Sequence, residues 1–217
     1  MGKLKQFALG GMPLLILGAA LFLSGLGLTE QNLQEDRQAG VAAQKTVEAL
    51  VEYVPERKLH PAPSPVTEEE IVVTENRVLS VQTIDGRDYV GILKIPALSL
   101  ELPVQTPYVY ESLKISPCLF AGDPYHNNMV ICAHNYRTHF GRVKNLEPGD
   151  SLFFVAMDGE YFQYKVLELE ILDPLAEAEM LEPRSWDLTL FTCTIDGEYR
   201  LTVRCERVVQ VKEATLT

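Results

Sequence analysis

The sequence predicts a mainly β domain, a barrel or a sandwich, preceded by a membrane helix and a helical stem. From residue 71 onward, short apolar runs are bounded by Gly, Pro, Asn and Asp, which is typical of closely spaced strands joined by tight turns. The earlier part holds one long uncharged run and then apolar residues at helical spacing. The predicted division is a cytoplasmic tip and membrane anchor at 1–28, a stem and linker at 29–70, and the β domain at 71–217.

The predicted membrane anchor is the uncharged apolar segment from Phe7 to Leu28. A helix needs about 20 such residues to cross a bilayer, whereas a cleaved signal peptide usually has a hydrophobic core of roughly 7–15. Lys3 and Lys5 precede the segment and acidic residues follow it, which predicts a cytoplasmic N-terminus. We expect one membrane-spanning helix with the remaining chain outside the cell. A cleaved signal peptide is the alternative.

The predicted stem helix follows the anchor, with Thr29 as its candidate N-cap. Its apolar residues recur at roughly helical spacing, so the helix is expected either to dock on the β domain or to form a solvated spacer. The next stretch, PERKLHPAPSPVTEEE, is rich in proline and charge and predicts an extended linker. His60 lies within that linker and is expected to be incidental.

Charge and cysteine usage narrow the functional classes. The net charge of −11 argues against a nucleic-acid partner, because phosphate binding needs a basic surface. The four cysteines contain no CxxC and match no standard zinc spacing, and no compact carboxylate loop suggests calcium. No metal and no cofactor are therefore predicted. Outside a membrane an even number of cysteines allows disulfides, here Cys132–Cys205 or Cys118–Cys132.

The segment LTLFTCTIDGEYRLTVRCERV predicts a β-hairpin around Asp196-Gly197, a strong signal for a two-residue type I′ turn. With that turn Ile195 pairs with Glu198, and Cys193 lies opposite Arg200. Opposed residues project from the same face, with Cβ atoms about 5 Å apart. A cysteine reacts as its thiolate, which a nearby cation stabilises, so the register predicts a reactive pair. A surface hairpin with an incidental thiol is the alternative.

The same register separates the two arginines of the second strand, because Arg204 would face Thr189 instead. A proton donor for the reaction must come from elsewhere, and histidine is the usual choice. His134 closes the apolar run NMVICAH, and a strand end is where a fold exposes polar side chains above its core. His126 and His139 are further candidates in the neighbouring loops.

These two segments together resemble the signature segments of sortases, the membrane-anchored cysteine transpeptidases of Gram-positive cell envelopes. In that family a histidine closes one strand, a TLxTC strand carries the nucleophile, and an arginine comes early on the next strand. The matching residues are His134, Cys193 and Arg200. The stretch DYVGILKIPALSLELPV also resembles the opening strands of the family, so the resemblance covers about residues 87–210.

The resemblance implies an eight-stranded β-barrel and a two-step acyl transfer. Cys193 would attack the Thr–Gly carbonyl of an LPXTG-like sorting signal, and Arg200 would stabilise the oxyanion. His134 would protonate the leaving amine and later deprotonate the incoming one. The acceptor would be the amine of a peptidoglycan precursor or the lysine of a pilin.

Two features leave the subclass open. Many relatives carry glycine before the histidine, where this chain has Cys132-Ala133, with Cys132 expected to be either a core residue or a redox partner. No second apolar span follows the last predicted strand, which favours a wall-anchoring enzyme over a pilin-polymerising one. The alternative from another functional class is a non-catalytic membrane-anchored β-barrel that binds wall or protein ligands, since such a module needs neither a reactive thiol nor His134.

Overall fold

The computed structural model describes residues 3–54, 77–181, 186–194 and 196–208, with side chains from residue 13 onward. Contacts between residues divide the chain into two compact units, 1–38 and 39–217. The predicted proline-rich linker, together with His60, lies outside the described residues.

A long helix, α1 (Lys3–Val51), contains both the predicted anchor and the predicted stem. Within the described ranges it is the one helix long and apolar enough to cross a membrane. Thr29 lies inside this helix and donates its hydroxyl to the Gly25 carbonyl at 2.9 Å. The predicted N-cap at Thr29 is therefore wrong. The helix is already formed where it reaches Thr29, so the hydroxyl bonds to the carbonyl one turn earlier instead of capping free amides.

Nine β-strands form the body of the second unit. They are β1 (Gln82–Ile84), β2 (Arg87–Ile95), β3 (Leu100–Thr106), β4 (Cys118–Ala121), β5 (Met129–Cys132), β6 (Ser151–Ala156), β7 (Tyr161–Leu172), β8 (Leu188–Cys193) and β9 (Arg200–Arg207). The sheet order is β1-β2-β3-β4-β5-β8-β9-β7-β6, and β6 also pairs with β2. That pairing closes strands β2 to β9 into the predicted eight-stranded barrel. The ninth strand, β1, pairs with the part of β2 that β6 does not reach.

Short helices fill the connections between the strands. They are α2 (Glu177–Leu181) and the 3₁₀ helices η1 (Pro96–Leu98), η2 (Tyr110–Lys114) and η3 (Phe140–Asn145). The helix α2 lies between β7 and β8, where the sequence allows only one or two helical turns. Its position matters because β8 carries the predicted nucleophile.

One face of the barrel sheet lines the interior, and the other faces outward. Leu188 and Leu190 of β8 point into the barrel interior and belong to the largest hydrophobic cluster. Successive side chains of a strand alternate between faces, so Phe191 and Cys193 project from the opposite face. A second cluster covers that face next to Cys193, and we call this outer surface the groove face. Its buried members are Leu113, Cys118, Val130, Cys132, Leu172, Met180 and Phe191.

The last part of α1 packs on the β domain. Ala43 joins the barrel-interior cluster, while Val47 and Leu50 pack with residues of β2. Gly40 lies against Thr138 in the loop that follows β5, because a Cβ added to Gly40 would come within 2.7 Å of Thr138 Cγ2. Residues 39–54 therefore dock on the barrel, and the absent side chain of Gly40 permits the close approach.

We expect Gly40→Val to destabilise the protein, because the new side chain meets a short, β-branched threonine that has little freedom to move aside. Overpacking of this kind costs about 1–3 kcal/mol in the free energy of unfolding. Val41, which is 70% exposed on the same helix, supplies the control Val41→Ala. Denaturant unfolding of both variants in detergent measures the difference. Equal stability of the two variants would contradict the contact.

Candidate active site

Three adjacent strands bring the three predicted site residues together. Cys193 is the last residue of β8, and its Cα partner across the antiparallel pair is Arg200, the first residue of β9. The register predicted from the hairpin is confirmed. On the other side of β8 runs β5, parallel to it, with Cys132 beside Phe191. Continuing both strands by two residues brings His134 to the level of Cys193.

Hydrogen bonds extend this parallel register beyond the end of β5. The Thr192 hydroxyl donates to the Ala133 carbonyl at 2.9 Å, one residue before the histidine and the cysteine. The Asn135 side-chain Nδ2 donates to the Thr194 carbonyl at 3.4 Å, one residue after them. The histidine and the cysteine are therefore held between two bridges, although 59 positions separate the bonded residues in the sequence.

The predicted two-residue type I′ turn is wrong, because the Gly197 amide donates to the Thr194 carbonyl at 2.9 Å and the loop is therefore wider. Strand pairing ends at Cys193 and Arg200, and the Thr194 amide donates to the Tyr199 carbonyl at 3.0 Å. The Asp196 carboxylate accepts from the Thr194 hydroxyl and from the Glu198 amide, and these hydrogen bonds lower the pKa of that carboxyl. Ile195, the predicted partner of Glu198, lies outside the described residues.

Burial distinguishes Cys193 from the other three cysteines. Cys118, Cys132 and Cys205 are 0%, 1% and 0% exposed, whereas Cys193 is half-buried. Burial raises the pKa of Cys118 to about 11, and it also raises the pKa of Cys132 and of Cys205. Because the thiolate is the nucleophilic form, these three thiols are inert at neutral pH. Cys193 is the thiol that a substrate can reach.

The cysteines are free thiols in the structure. Cys205 points into the barrel interior and Cys132 lies on the groove face, so the sheet itself separates them. The Cys132–Cys205 bridge that the sequence allowed is therefore not formed. Cys118 and Cys132 are directly opposed across β4 and β5, and both carry unbridged sulfurs.

The two arginines of β9 have different surroundings. Arg204 is 1% exposed and is the Cα partner of Thr189, as predicted. Its guanidinium donates to Glu170 Oε1 at 2.6 Å, to Thr189 Oγ1 at 2.9 Å and to the Glu179 carbonyl at 2.9 Å. It also lies 4.2 Å from the ring centre of Trp186. Arg204 therefore fastens α2 and its flanks to the barrel.

Arg200 has fewer hydrogen-bond partners than Arg204. It is half-buried at the rim of the groove face and donates to the Tyr199 carbonyl at 3.2 Å. Among the residues the structure describes, no carboxylate forms an ion pair with it. Its planar set of N–H donors is therefore available to a ligand beside Cys193.

The histidines at 126, 134 and 139 also differ in burial and in surroundings. His134 is half-buried, and its ring stacks on Tyr136 with centroids 3.9 Å apart and planes 20° apart. His139 is 0% exposed. His126 lies in the turn before β5, where its Nδ1 is 2.7 Å from an Asp123 carboxylate oxygen. Of these three, His134 is the one beside Cys193.

A row of aromatic rings on the groove face was not predicted from the sequence. The ring centroids of Tyr108 and Phe120 are 5.2 Å apart, and those of Phe120 and Phe191 are also 5.2 Å apart. Phe191 and Cys193 share a face of β8, so the row leads to the thiol. The only local signal is the exposed aromatic stretch PYVY, and nothing in it indicates which strand it meets.

A family model for the sortase domain matches residues 93–208, which run from within β2 to just after β9. The chain belongs to the sortase family. Sortases are cysteine transpeptidases, and this chain is one at the level of the family. A search of curated protein sequences finds no match.

Solved sortase structures share the fold. A sortase D5 transpeptidase of Clostridium perfringens aligns with a TM-score of 0.56 at 19% identity, covering 77% of this chain and 99% of its own. Sortase C of the same organism, solved with the C-terminal cell wall sorting motif, gives 0.54 at 22% identity, with 75% and 98% covered. Sortase C of Streptococcus pneumoniae gives 0.53 at 21% identity, with 82% and 91% covered.

We expect alkylation of the native sortase to modify Cys193 alone, because the other three thiols are buried. Brief treatment with iodoacetamide at pH 8 should add one carbamidomethyl group, and peptide mass spectrometry should map it to Cys193. The same treatment in denaturant should modify all four cysteines, which serves as the control. Rapid native modification of Cys118 or Cys132 would contradict the burial.

Proposed function

We propose that this sortase cleaves an LPXTG-like sorting signal between Thr and Gly and transfers the new carboxyl end to an amine. The observation that carries the proposal is the placement of the one half-buried cysteine, Cys193, between Arg200 and His134 on adjacent strands. The presence of the sorting motif in the related C. perfringens sortase C structure supports a sorting signal as the substrate.

In the first step the Cys193 thiolate attacks the carbonyl carbon of the threonine residue. A C–S bond forms and the carbonyl oxygen takes on negative charge. Arg200 is the register partner of Cys193, and its forked N–H groups suit an oxyanion that appears in the transition state. Stabilising that charge lowers the barrier more than it strengthens substrate binding.

His134 performs the proton transfers. As the imidazolium it donates a proton to the nitrogen of the departing glycine, so the C–N bond breaks and the thioacyl-enzyme remains. The resulting neutral imidazole then accepts a proton from the incoming amine. That amine forms the new C–N bond, and the C–S bond breaks to restore the thiolate.

The membrane orientation belongs to the same proposal. Lys3 and Lys5 place the N-terminus in the cytoplasm by the positive-inside rule, with residues 7–28 of α1 as the anchor. The barrel then lies outside the cell, where sorting signals and cell-wall precursors meet. Residues 29–70 serve as stem and linker, and 71–217 as the catalytic domain.

The acceptor amine distinguishes two forms of this function. A peptidoglycan precursor amine makes the sortase a wall-anchoring enzyme. A pilin lysine makes it a pilin polymerase, and the likeness to the S. pneumoniae sortase C, whose description names pilin substrate specificity, supports that second candidate. Competition between the two amines for a preformed thioacyl-enzyme separates them.

We expect Cys193→Ala to abolish the thioacyl-enzyme, because no other thiol is accessible. The full-length sortase in detergent is incubated with an LPXTG-type peptide, and its intact mass is recorded. The wild type should gain the mass of the N-terminal acyl fragment, located on Cys193 and removed by an added amine.

The matched control for this experiment is Cys205→Ala, which removes a thiol in the barrel interior. It should form the adduct at the wild-type rate. A wild-type protein with a free Cys193 and an intact fold that forms no adduct across a broad peptide panel would favour the non-catalytic binding module.

Arg200→Ala should lower kcat/KM by about 10²- to 10³-fold, the usual loss when an oxyanion donor is removed. Arg204→Ala should instead lower the free energy of unfolding by about 3 kcal/mol, because it leaves Glu170 and Thr189 without their buried donor. Activity per folded molecule and denaturant unfolding are measured for both variants. The reverse pattern would contradict the assignment of Arg200.

A further inference from the structure

We infer that Tyr136 is a positioning residue that holds the His134 imidazole at the angle required for proton transfer, an inference that rests on the proposed role of His134. The two rings stack with centroids 3.9 Å apart and planes 20° apart. This is the closest ring contact among the aromatic pairs of the described chain.

The stack bears on catalysis because His134 lies beyond the last residue of its strand. The ladder of β5 ends at Cys132, and His134 begins the following loop. Its imidazole is half-buried and turns about two side-chain torsions. A general acid must stay within hydrogen-bond reach of the atom it protonates, so free rotation of the ring would lower the fraction of productive complexes.

Tyr136 is itself held firmly enough to serve as a support. It is 8% exposed, and beyond it lies the ring of His139, with centroids 5.6 Å apart. Its carbonyl accepts from the His139 amide at 3.0 Å and from the Gly141 amide at 2.8 Å. These two hydrogen bonds form a tight turn that fixes the backbone of Tyr136, whose ring stacks on His134.

Two further contacts make the loop rigid. The Phe140 amide donates to the His134 carbonyl at 3.2 Å, which ties the histidine backbone to the far end of the loop. Gly141 packs so closely on the backbone of Asn135 that an added Cβ would be 2.3 Å from the Asn135 carbonyl oxygen. The loop folds back on itself from 134 to 141, and Tyr136 within it contacts the rings of His134 and His139.

The stack distinguishes Tyr136 from a residue that only stabilises the domain. Tyr125 is as deeply buried, at 5%, but it packs against Phe162 and Arg77, away from the three site residues. Replacing either tyrosine by leucine removes a similar buried ring. Only the Tyr136 replacement should change the freedom of the His134 imidazole.

The test compares Tyr136→Phe, Tyr136→Leu and Tyr125→Leu in the full-length sortase in detergent, using an LPXTG-type peptide and an amine acceptor. Tyr136→Phe keeps the ring and should keep the wild-type kcat. Tyr136→Leu should lower kcat by about 10- to 100-fold, the loss expected from misplacing a catalytic group, with little change in KM. Tyr125→Leu should lose stability and retain kcat per folded molecule.

A second readout does not depend on activity. The Tyr136 ring current should shift the His134 imidazole protons upfield in the NMR spectrum, assigned by their loss in His134→Gln. The shift should persist in Tyr136→Phe and disappear in Tyr136→Leu. If Tyr136→Leu does not fold, Tyr136→Met is measured instead, since its flexible side chain fills a similar space without a ring.

The outcomes separate this inference from the proposed function. Full activity in His134→Gln would overturn the role of His134, whatever the Tyr136 variants do. If His134→Gln is inactive and the non-aromatic variant keeps the wild-type kcat, the positioning role of Tyr136 is wrong. An equal loss of kcat in Tyr136→Phe and Tyr136→Leu would also overturn it, because the hydroxyl rather than the stacked ring would then carry the effect.

Discussion

The parallel pairing of β5 with β8 is the constraint on which the candidate site depends. A parallel pair cannot be closed by a tight turn and needs a long crossover between its strands. In this chain the crossover holds the loop after His134, the strands β6 and β7 and the helix α2. The same connection that brings His134 beside Cys193 therefore also closes the barrel and supplies the segment that Arg204 fastens.

The alternation of side chains across the barrel sheet separates the residues of the hydrophobic interior from those of the groove face. Residues that point inward fill the hydrophobic interior, and their neighbours form the groove face, on which Cys193 lies beyond Phe191. The face of the sheet and the position along the strand together explain why residues of the same type differ in burial and in hydrogen bonding. Cys205 is an interior residue whereas Cys193 is half-buried at a strand end, and Arg204 is fully engaged whereas Arg200 has donors to spare. Position along the strand, rather than residue type, decides the role.

Local features were predicted well from the sequence because a hairpin register depends on few residues. The pairing of Cys193 with Arg200 and of Arg204 with Thr189 was predicted correctly, although the loop around Asp196-Gly197 is wider than the turn assumed for it. Features that depend on the rest of the chain were not predicted. The chain at Thr29 continues a helix already formed, so a capping residue serves another purpose there. The stack of Tyr136 on His134 joins residues two apart in an irregular loop, a geometry that no periodic pattern indicates.

The sequence by itself determined the family, the anchor candidate, the strand-rich texture and the three candidate site residues, because each rests on local patterns or on short motifs. Only the tertiary structure decided which thiol is accessible, which arginine keeps N–H donors available and which ring stacks on the histidine. Burial and pairing arise from contacts between distant segments, and the pKa of a thiol such as Cys132 rises only once those segments enclose it. Single residues carry the reactive groups, but the closed barrel decides which of those groups can react.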